Sequence, residues 1–155
     1  MKRHKSLYPL SHDHHHALVQ AKNLRIAAKN ADDKETLRQV AMQTITYWSN
    51  DLCAHFRQEE VILLPVFARH TTADHPEIVE TLRQHDDIRA AVDQLKNDLE
   101  QAANLAVASQ TLADQLSQHI RYEEQRLFPL LQEVLPEEAL WEIHHRLTTA
   151  QGANH

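Results

Sequence analysis

Apolar residues recur every three to four positions along most of this chain, which is the spacing of a helix that buries one face. Short polar stretches with proline, aspartate or asparagine at their edges separate these stripes, and they predict five helical segments. In chain order the segments run from about Ser11 to Asn30, from Asp32 to about Leu64, from Pro76 to about Leu99, from about Leu105 to Leu131 and from Pro136 to Leu147, with a weak break near Ala103 and Asn104 before the fourth.

Composition agrees with this interpretation. Good helix formers are plentiful, and the 155 residues include one glycine, which leaves few places for tight turns. Four long segments with short connections predict an all-α fold, an up-down-up-down four-helix bundle with a short fifth helix at the C-terminal end. No low-complexity stretch or linker divides the chain, so we expect a single domain over residues 1–155.

One thirteen-residue segment occurs twice. Residues 55–67 align without gaps on residues 119–131, and both copies read His-x-x-x-Glu-Glu followed by a proline. Because positions four apart share a helix face, His55 with Glu59 and His119 with Glu123 each present an imidazole beside a carboxylate. Two such helices facing each other would bring both pairs to one point, as in bundles that hold two metal ions.

Histidine is abundant, with thirteen residues, and two further histidines suit the same place. His14 and His85 each head an apolar stripe, and such a stripe faces the core. In an up-down bundle the starts of the first and third helices meet the ends of the second and fourth. All four histidines then lie at similar depth along the bundle.

Each of these features has a simpler interpretation when taken alone. A buried histidine is usually a hydrogen-bonded core residue, and one His-x-x-x-Glu motif can be a surface pair. The duplicated motif, together with two core-facing histidines at matching depth, argues against both. His15, about 100° around the helix from His14, is the alternative ligand. Glu60 and Glu124 either face solvent or orient histidines from behind, and we favour the second role because both copies keep them.

The donor types indicate the metal. Four imidazoles and two carboxylates are too many for one tetrahedral zinc ion, and calcium and magnesium prefer oxygen alone. The mixture suits iron, manganese or cobalt. A carboxylate from each repeat can bridge two ions while each ion takes two imidazoles. The sequence therefore predicts a dinuclear site whose ligands are His14, His55, Glu59, His85, His119 and Glu123.

Charge, hydropathy and cysteine content limit the partners and the cellular compartment that we expect. The formal net charge of −6 disfavours nucleic acid as a partner. The longest apolar run, residues 61–68, is too short to span a membrane and contains Pro65. Cys53 is the only cysteine; it excludes an intrachain disulfide, fits a reducing compartment, and is expected to be a small buried residue. We see no signal peptide and expect a cytoplasmic protein, whose oligomeric state the sequence does not indicate.

With these motifs the chain resembles the hemerythrin-like family, also called the HHE cation-binding domain, over roughly residues 8–133. The resemblance implies a four-helix bundle with a non-haem centre of two iron ions, often oxo-bridged, with manganese or another divalent metal as the alternative. It implies imidazole ligands at His14, His55, His85 and His119 and carboxylate ligands at Glu59 and Glu123. The matching motifs are Asp13-His14, His55-Phe56-x-x-Glu59-Glu60, His85-Asp86 and His119-x-x-x-Glu123-Glu124.

The chain departs from oxygen-carrying hemerythrins at two positions. Arg89 stands where they have a further histidine in the third helix. Their fourth helix has the motif His-x-x-x-x-Asp, whereas this chain has His119-x-x-x-Glu123. Both changes bring the set closer to the di-iron proteins that repair iron centres. Those proteins also carry a cysteine-bearing N-terminal segment, which we do not expect here.

Three functional hypotheses follow. The first is a di-iron protein that binds or senses a small molecule, O₂ or NO, or that handles iron. The second is a redox enzyme acting on NO or peroxide, or repairing iron centres. The third is a metal that only holds the bundle together. The missing fifth histidine argues against efficient reversible carriage of O₂ and leaves room for an exogenous ligand.

Overall fold

The computed structural model describes residues 2–102 and 104–153, with side chains described as far as Ala150. Helix α1 spans Tyr8–Lys29 after a 3₁₀ turn at Lys5–Leu7, α3 spans Pro76–Gln101 and α5 spans Glu137–Ala153. Helix α2 covers residues 34–70 and α4 covers residues 105–134, and π turns interrupt both. The described residues contain no strand, so the predicted all-α class is confirmed.

The long helices α2 and α4 are built from α-helical segments joined by π turns. In α2 the α-helical segments are Lys34–Tyr47, Cys53–Gln58 and Leu64–His70, and the π turns between them are Trp48–Leu52 and Glu59–Leu63. In α4 the segments are Leu105–Tyr122 and Phe128–Val134, joined by the π turn Glu123–Leu127.

Several predicted boundaries are wrong for identifiable reasons. Helix α1 begins at Tyr8, with proline in its first turn, and Ser11 is therefore inside the helix rather than its N-cap. Helix α2 does not end at Pro65 but continues to His70. Helix α5 extends past the predicted end to Ala153. The break predicted near Ala103 lies partly outside the described residues, but Ala102 and Asn104 on either side have left-handed backbones, with φ of 53° and 49°.

The π turns explain how α2 passes its proline. Pro65 cannot donate a backbone hydrogen bond, which normally kinks or ends a helix. Here the chain widens just before it, and the Leu64 N–H donates to the Glu59 carbonyl five residues back. The Phe128 N–H makes the same bond to Glu123, just before Pro129. Each of these turns therefore begins at a glutamate of the repeated motif, and π turns are frequent at functional sites.

Two large apolar clusters of buried residues fill most of the described part of the bundle, and a small third cluster joins the end of α1 to the start of α2. The central cluster draws on α1 to α4, and its larger members include Leu24, Leu52, Phe56, Ile88, Leu95, Leu112, Leu116 and Ile120. The end cluster joins one end of the bundle to α5, and its members include Leu7, Leu10, Ile62, Phe67, Ile78, Phe128, Leu131 and Ile143.

The predicted site residues lie between these clusters. In α1, Leu10 of the end cluster precedes His14, and Ala17 of the central cluster follows it. In α2 and α4 the sequence of clusters is reversed, with the central cluster first. This distribution is the one that alternating helix directions require; the alternation itself stays a prediction.

Two further observations concern membrane-spanning helices and the position of Cys53. No helix in the described part of the chain is long and apolar enough to cross a membrane. The expectation that Cys53 is buried is wrong, because its thiol is free and exposed. It lies two residues before the buried His55, and two residues turn a helix by roughly 200°, so the two side chains face opposite ways.

Truncating a central-cluster side chain should destabilise the bundle. Leu112 is 1% exposed in α4, and Leu112→Ala leaves a cavity. We expect the free energy of unfolding to fall by about 2–5 kcal/mol, measured by urea denaturation. Val107→Ala is the matched control, since Val107 lies on the same helix at 67% exposure and should change stability by less than about 0.5 kcal/mol. Equal effects of the two substitutions would contradict this assignment of the core.

Candidate metal centre

Six buried polar side chains meet between the two apolar clusters. They form a group that we call the His/Glu cluster, and each of its members is at most 3% exposed. Helices α1 and α3 contribute one histidine each, while α2 and α4 contribute one histidine and one glutamate each. The members are His14, His55, Glu59, His85, His119 and Glu123.

The Nε2 atoms of the four histidines face the two carboxylates. In one half, His14 Nε2 lies 3.0 Å from Glu123 Oε1, and His119 Nε2 lies 3.1 Å from the same oxygen. In the other half, His85 Nε2 lies 2.9 Å from Glu59 Oε1, and His55 Nε2 lies 3.3 Å from Glu59 Oε2. Histidines from different helices therefore converge on each glutamate.

The Nδ1 atoms face outward, each to an oxygen of another helix. His14 Nδ1 lies 3.2 Å from Glu124 Oε2, and His85 Nδ1 lies 2.7 Å from Glu60 Oε2. His55 Nδ1 lies 3.0 Å from Asp13 Oδ2. His119 Nδ1 lies 2.7 Å from the side-chain oxygen of Gln84.

These outward contacts select a tautomer. Carboxylate and amide oxygens only accept hydrogen bonds, so each Nδ1 carries a proton and donates it. The amide of Gln84 is oriented by its own nitrogen, which donates to Glu80. In the neutral imidazole the Nε2 lone pair then points inward, towards oxygens that also only accept. Acceptor faces acceptor, and a positive charge, either a proton or a metal ion, is needed between them.

The His/Glu cluster contains two sets of potential ligands that share both carboxylates. His14 and His55 form one set with Glu59 and Glu123, and His85 and His119 form the other set with the same two glutamates. Within each set the potential ligand atoms lie within 4.8 Å of one another, so each set could hold a metal ion. Among the described residues, His55 Nε2, Glu59 Oε2, His119 Nε2 and Glu123 Oε2 are buried polar atoms without a hydrogen-bond partner.

The second glutamates of the motif support the histidines from behind, as predicted. Glu60 accepts from His85 and from Arg89, whose Nη2 lies 2.9 Å from Oε1. Burial raises the pKa of Glu60, but the hydrogen bonds from His85 and Arg89 outweigh it and hold that pKa at about 2. Arg89 thus reaches the second glutamate rather than the centre of the cluster.

Glu124 occupies the corresponding position behind His14. It accepts a hydrogen bond from the Ser11 hydroxyl at 2.8 Å, and Arg3 Nη2 lies 3.8 Å from its other carboxylate oxygen. Arg3 also donates to the backbone carbonyl of Glu124. The two halves of the cluster therefore each place an arginine behind a glutamate and the glutamate behind a histidine.

Two phenylalanine rings stack nearly parallel on two of the imidazoles. Phe56 stacks on His85, with ring centroids 3.9 Å apart and planes 8° from parallel. Phe128 stacks on His14 at 5.3 Å and 12°. Both phenylalanines are fully buried, so they also place apolar walls against the histidines.

Most of the chain matches one protein family. The model of the hemerythrin HHE cation binding domain matches residues 6–131, which include every member of the His/Glu cluster. The chain belongs to this hemerythrin family. No curated protein matches it in a sequence search.

In this hemerythrin-family chain, sequence reasoning found the six members of the cluster but missed most of their partners. His14 lies in the cluster and His15 is exposed on α1. Gln84, Arg3 and Ser11 were missed because no spacing rule links them to a partner on another helix. Asp13 stood in a motif, yet its contact with His55 also crosses between helices.

The inward and the outward contacts of three of the histidines both raise their pKa values. Burial lowers the pKa of His14, but hydrogen bonds to Glu123 and Glu124 outweigh it and raise that pKa from 6.5 to about 9. Burial also lowers the pKa of His85, but its hydrogen bonds with Glu59 and Glu60 outweigh burial and raise that pKa to about 9. For His55, burial is outweighed by the charge of Glu59 and the bond to Asp13, and the pKa rises to about 10.

These shifts predict how stability depends on pH in metal-free protein. A raised histidine pKa stabilises the fold fully below the unfolded value of 6.5, and that stabilisation is lost as pH rises through 9 to 10. We expect the free energy of unfolding, measured by urea denaturation with a chelator present, to fall between about pH 6.5 and pH 10.

The metal-loaded protein is the control for this titration. It carries the same lysines and tyrosines, but metal ions in place of protons would make its stability less sensitive to pH over this range. Stability of the metal-free protein that stays constant or rises from pH 6.5 to pH 10 would contradict the protonated cluster.

Proposed function

We propose that the protein binds a dinuclear iron centre through His14, His55, Glu59, His85, His119 and Glu123, and that it uses this centre to bind or sense O₂ or NO or to handle iron. One observation carries the proposal. Four inward Nε2 atoms face carboxylate oxygens in a buried space, so protons or bound cations must lie between the nitrogens and the oxygens.

The donor set fits two cations of borderline hardness. Each set of four contains two imidazoles and two carboxylates, which suits iron better than zinc, calcium or magnesium. When bound, iron supplies one-electron chemistry and affinity for small diatomic ligands.

The residues of the chain have distinct tasks in this proposal. Glu59 and Glu123 belong to both sets and would hold both cations, and the π turns that begin at these residues set their position. The Nδ1 partners hold each imidazole in the tautomer that a metal requires. The central and end clusters exclude water on both sides along the bundle.

The proposed centre leaves room for an exogenous ligand. Each set supplies four residues, whereas an octahedral ion takes about six ligands. Arg89, at the position of the further histidine of oxygen carriers, is held by Glu60 and Asp86 instead. A purely structural metal would favour saturated coordination. The cytoplasmic location and the single-domain organisation stay predictions.

Metal content tests the ligand assignment. After loading with Fe²⁺ under anaerobic conditions and gel filtration, we expect about two iron ions per chain. His55→Ala and His119→Ala each remove a ligand and leave a cavity, so most of the iron should be lost. Elemental analysis of the desalted proteins measures this.

His15→Ala is the matched control, because His15 adjoins His14 but is exposed. It should retain the iron of the unaltered protein, while His14→Ala should not. The ligand assignment is wrong if the unaltered protein retains no iron, or if both His55→Ala and His119→Ala keep the full amount.

Reactivity with gases tests what the centre is for. We expect the reduced, iron-loaded protein to change its electronic spectrum within a stopped-flow mixing experiment with O₂ or NO, because open positions admit a small ligand. A stable and reversible change would favour a binding or sensing role. Rapid turnover of NO or peroxide with an added reductant would favour an enzyme, and no change with either gas would leave only a structural metal.

A further inference from the structure

Three histidines of the first helix lie outside the His/Glu cluster. His12, His15 and His16 are exposed on α1, beside the buried His14. His12 and His16 are one helical turn apart, and their Nε2 atoms lie 3.3 Å from each other. We call these two residues the rim pair. The ring of His15 lies edge-on to that of His16, with ring centroids 5.8 Å apart.

The spacing of the rim pair suits one metal ion. Histidine nitrogen binds zinc-like ions at about 2.0–2.1 Å, so two such nitrogens 3.3 Å apart subtend roughly 107° at the ion. This angle is close to that of a tetrahedron. Two histidines four residues apart on a helix are also the arrangement by which helical motifs bind zinc. Water would complete the coordination at this exposed position.

The rim pair adjoins a cavity that leads towards the His/Glu cluster. The cavity has a volume of about 410 Å³, and His16 and His55 both line it. His16 is exposed, whereas His55 is 3% exposed, so the cavity connects the surface to the edge of the cluster. Asp13 and Asp51 line the same cavity, and their carboxylates attract cations.

We propose that His12 and His16 bind a third transition-metal ion at the mouth of this cavity, where it is collected before delivery to the buried centre. The binding step depends only on the rim pair. The delivery step rests on the proposed dinuclear function. An exposed two-histidine site binds more weakly than a buried four-residue set, which is what a site that passes its ion inward requires.

Equilibrium titration with Co²⁺, an ion that suits both the rim pair and the buried donor set, tests the binding step. Competition with a chelating dye should count three ions per chain in the unaltered protein and two in His12→Ala or His16→Ala. His15→Ala is the matched control, exposed on the same turn, and should keep three. All substituted residues are exposed, and circular dichroism confirms that the helices remain.

The outcomes separate the two proposals. If the buried centre does not exist, the unaltered protein should bind one ion and the rim-pair variants none. If the two nitrogens share only an N–H···N hydrogen bond, the rim-pair variants should bind as many ions as the unaltered protein, which overturns the third site.

Loading kinetics test the delivery step. At an Fe²⁺ concentration below saturation, His12→Ala/His16→Ala should fill the buried centre several-fold more slowly than the unaltered protein and His15→Ala, and reach the same final iron content. Equal loading rates, with the third site lost, would leave the rim pair as a binding site and overturn its role in delivery.

Discussion

The structure depends on burying two carboxylates in the middle of an apolar bundle. Glu59 and Glu123 are fully buried between the central and end clusters. A lone carboxylate there would cost several kcal/mol, and removing the partner of a buried charge is strongly destabilising. The surrounding imidazoles can compensate this buried negative charge, since each can carry a proton or bind a cation that the carboxylates share. The same arrangement of imidazoles and carboxylates therefore stabilises the metal-free fold and would coordinate the ions of the proposed centre.

Backbone geometry places these carboxylates. One π turn of α2 begins at Glu59 and that of α4 begins at Glu123, and each precedes a proline that cannot donate a backbone hydrogen bond to the preceding turn. A π turn shifts the side chains beyond it around the helix axis. Ahead of the turn in α2, Phe56 packs in the central cluster, and within the turn Ile62 and Leu63 pack in the end cluster.

Most of the helices and all six members of the cluster could be predicted, because both depend on periodicity. Apolar stripes and i, i+4 pairs are local, and the duplicated motif marked two of the four histidines. The π turns could not be predicted, because a proline in a helical pattern usually indicates an end, and only tertiary packing of residues 64–70 shows that α2 continues. The Nδ1 partners were missed for a related reason. Gln84 on α3 contacts His119 on α4, and no local sequence pattern predicts a contact between two helices.

The repeat suggests a symmetric centre, yet the outer contacts break the symmetry. His14 and His55 are both backed by carboxylates, Glu124 and Asp13. In the other set, His85 is backed by Glu60, but His119 is backed by the neutral amide of Gln84.

A carboxylate behind an imidazole raises its basicity and its strength as a ligand more than an amide does. In the proposed centre, the ion held by His14 and His55 therefore has the stronger donors. The cavity beside the rim pair also reaches the set that contains His14 and His55, since Asp13 and His55 both line that cavity. In the proposed centre, an ion arriving by this path would meet the set with the stronger donors first, and an ion would leave more readily from the set containing His119.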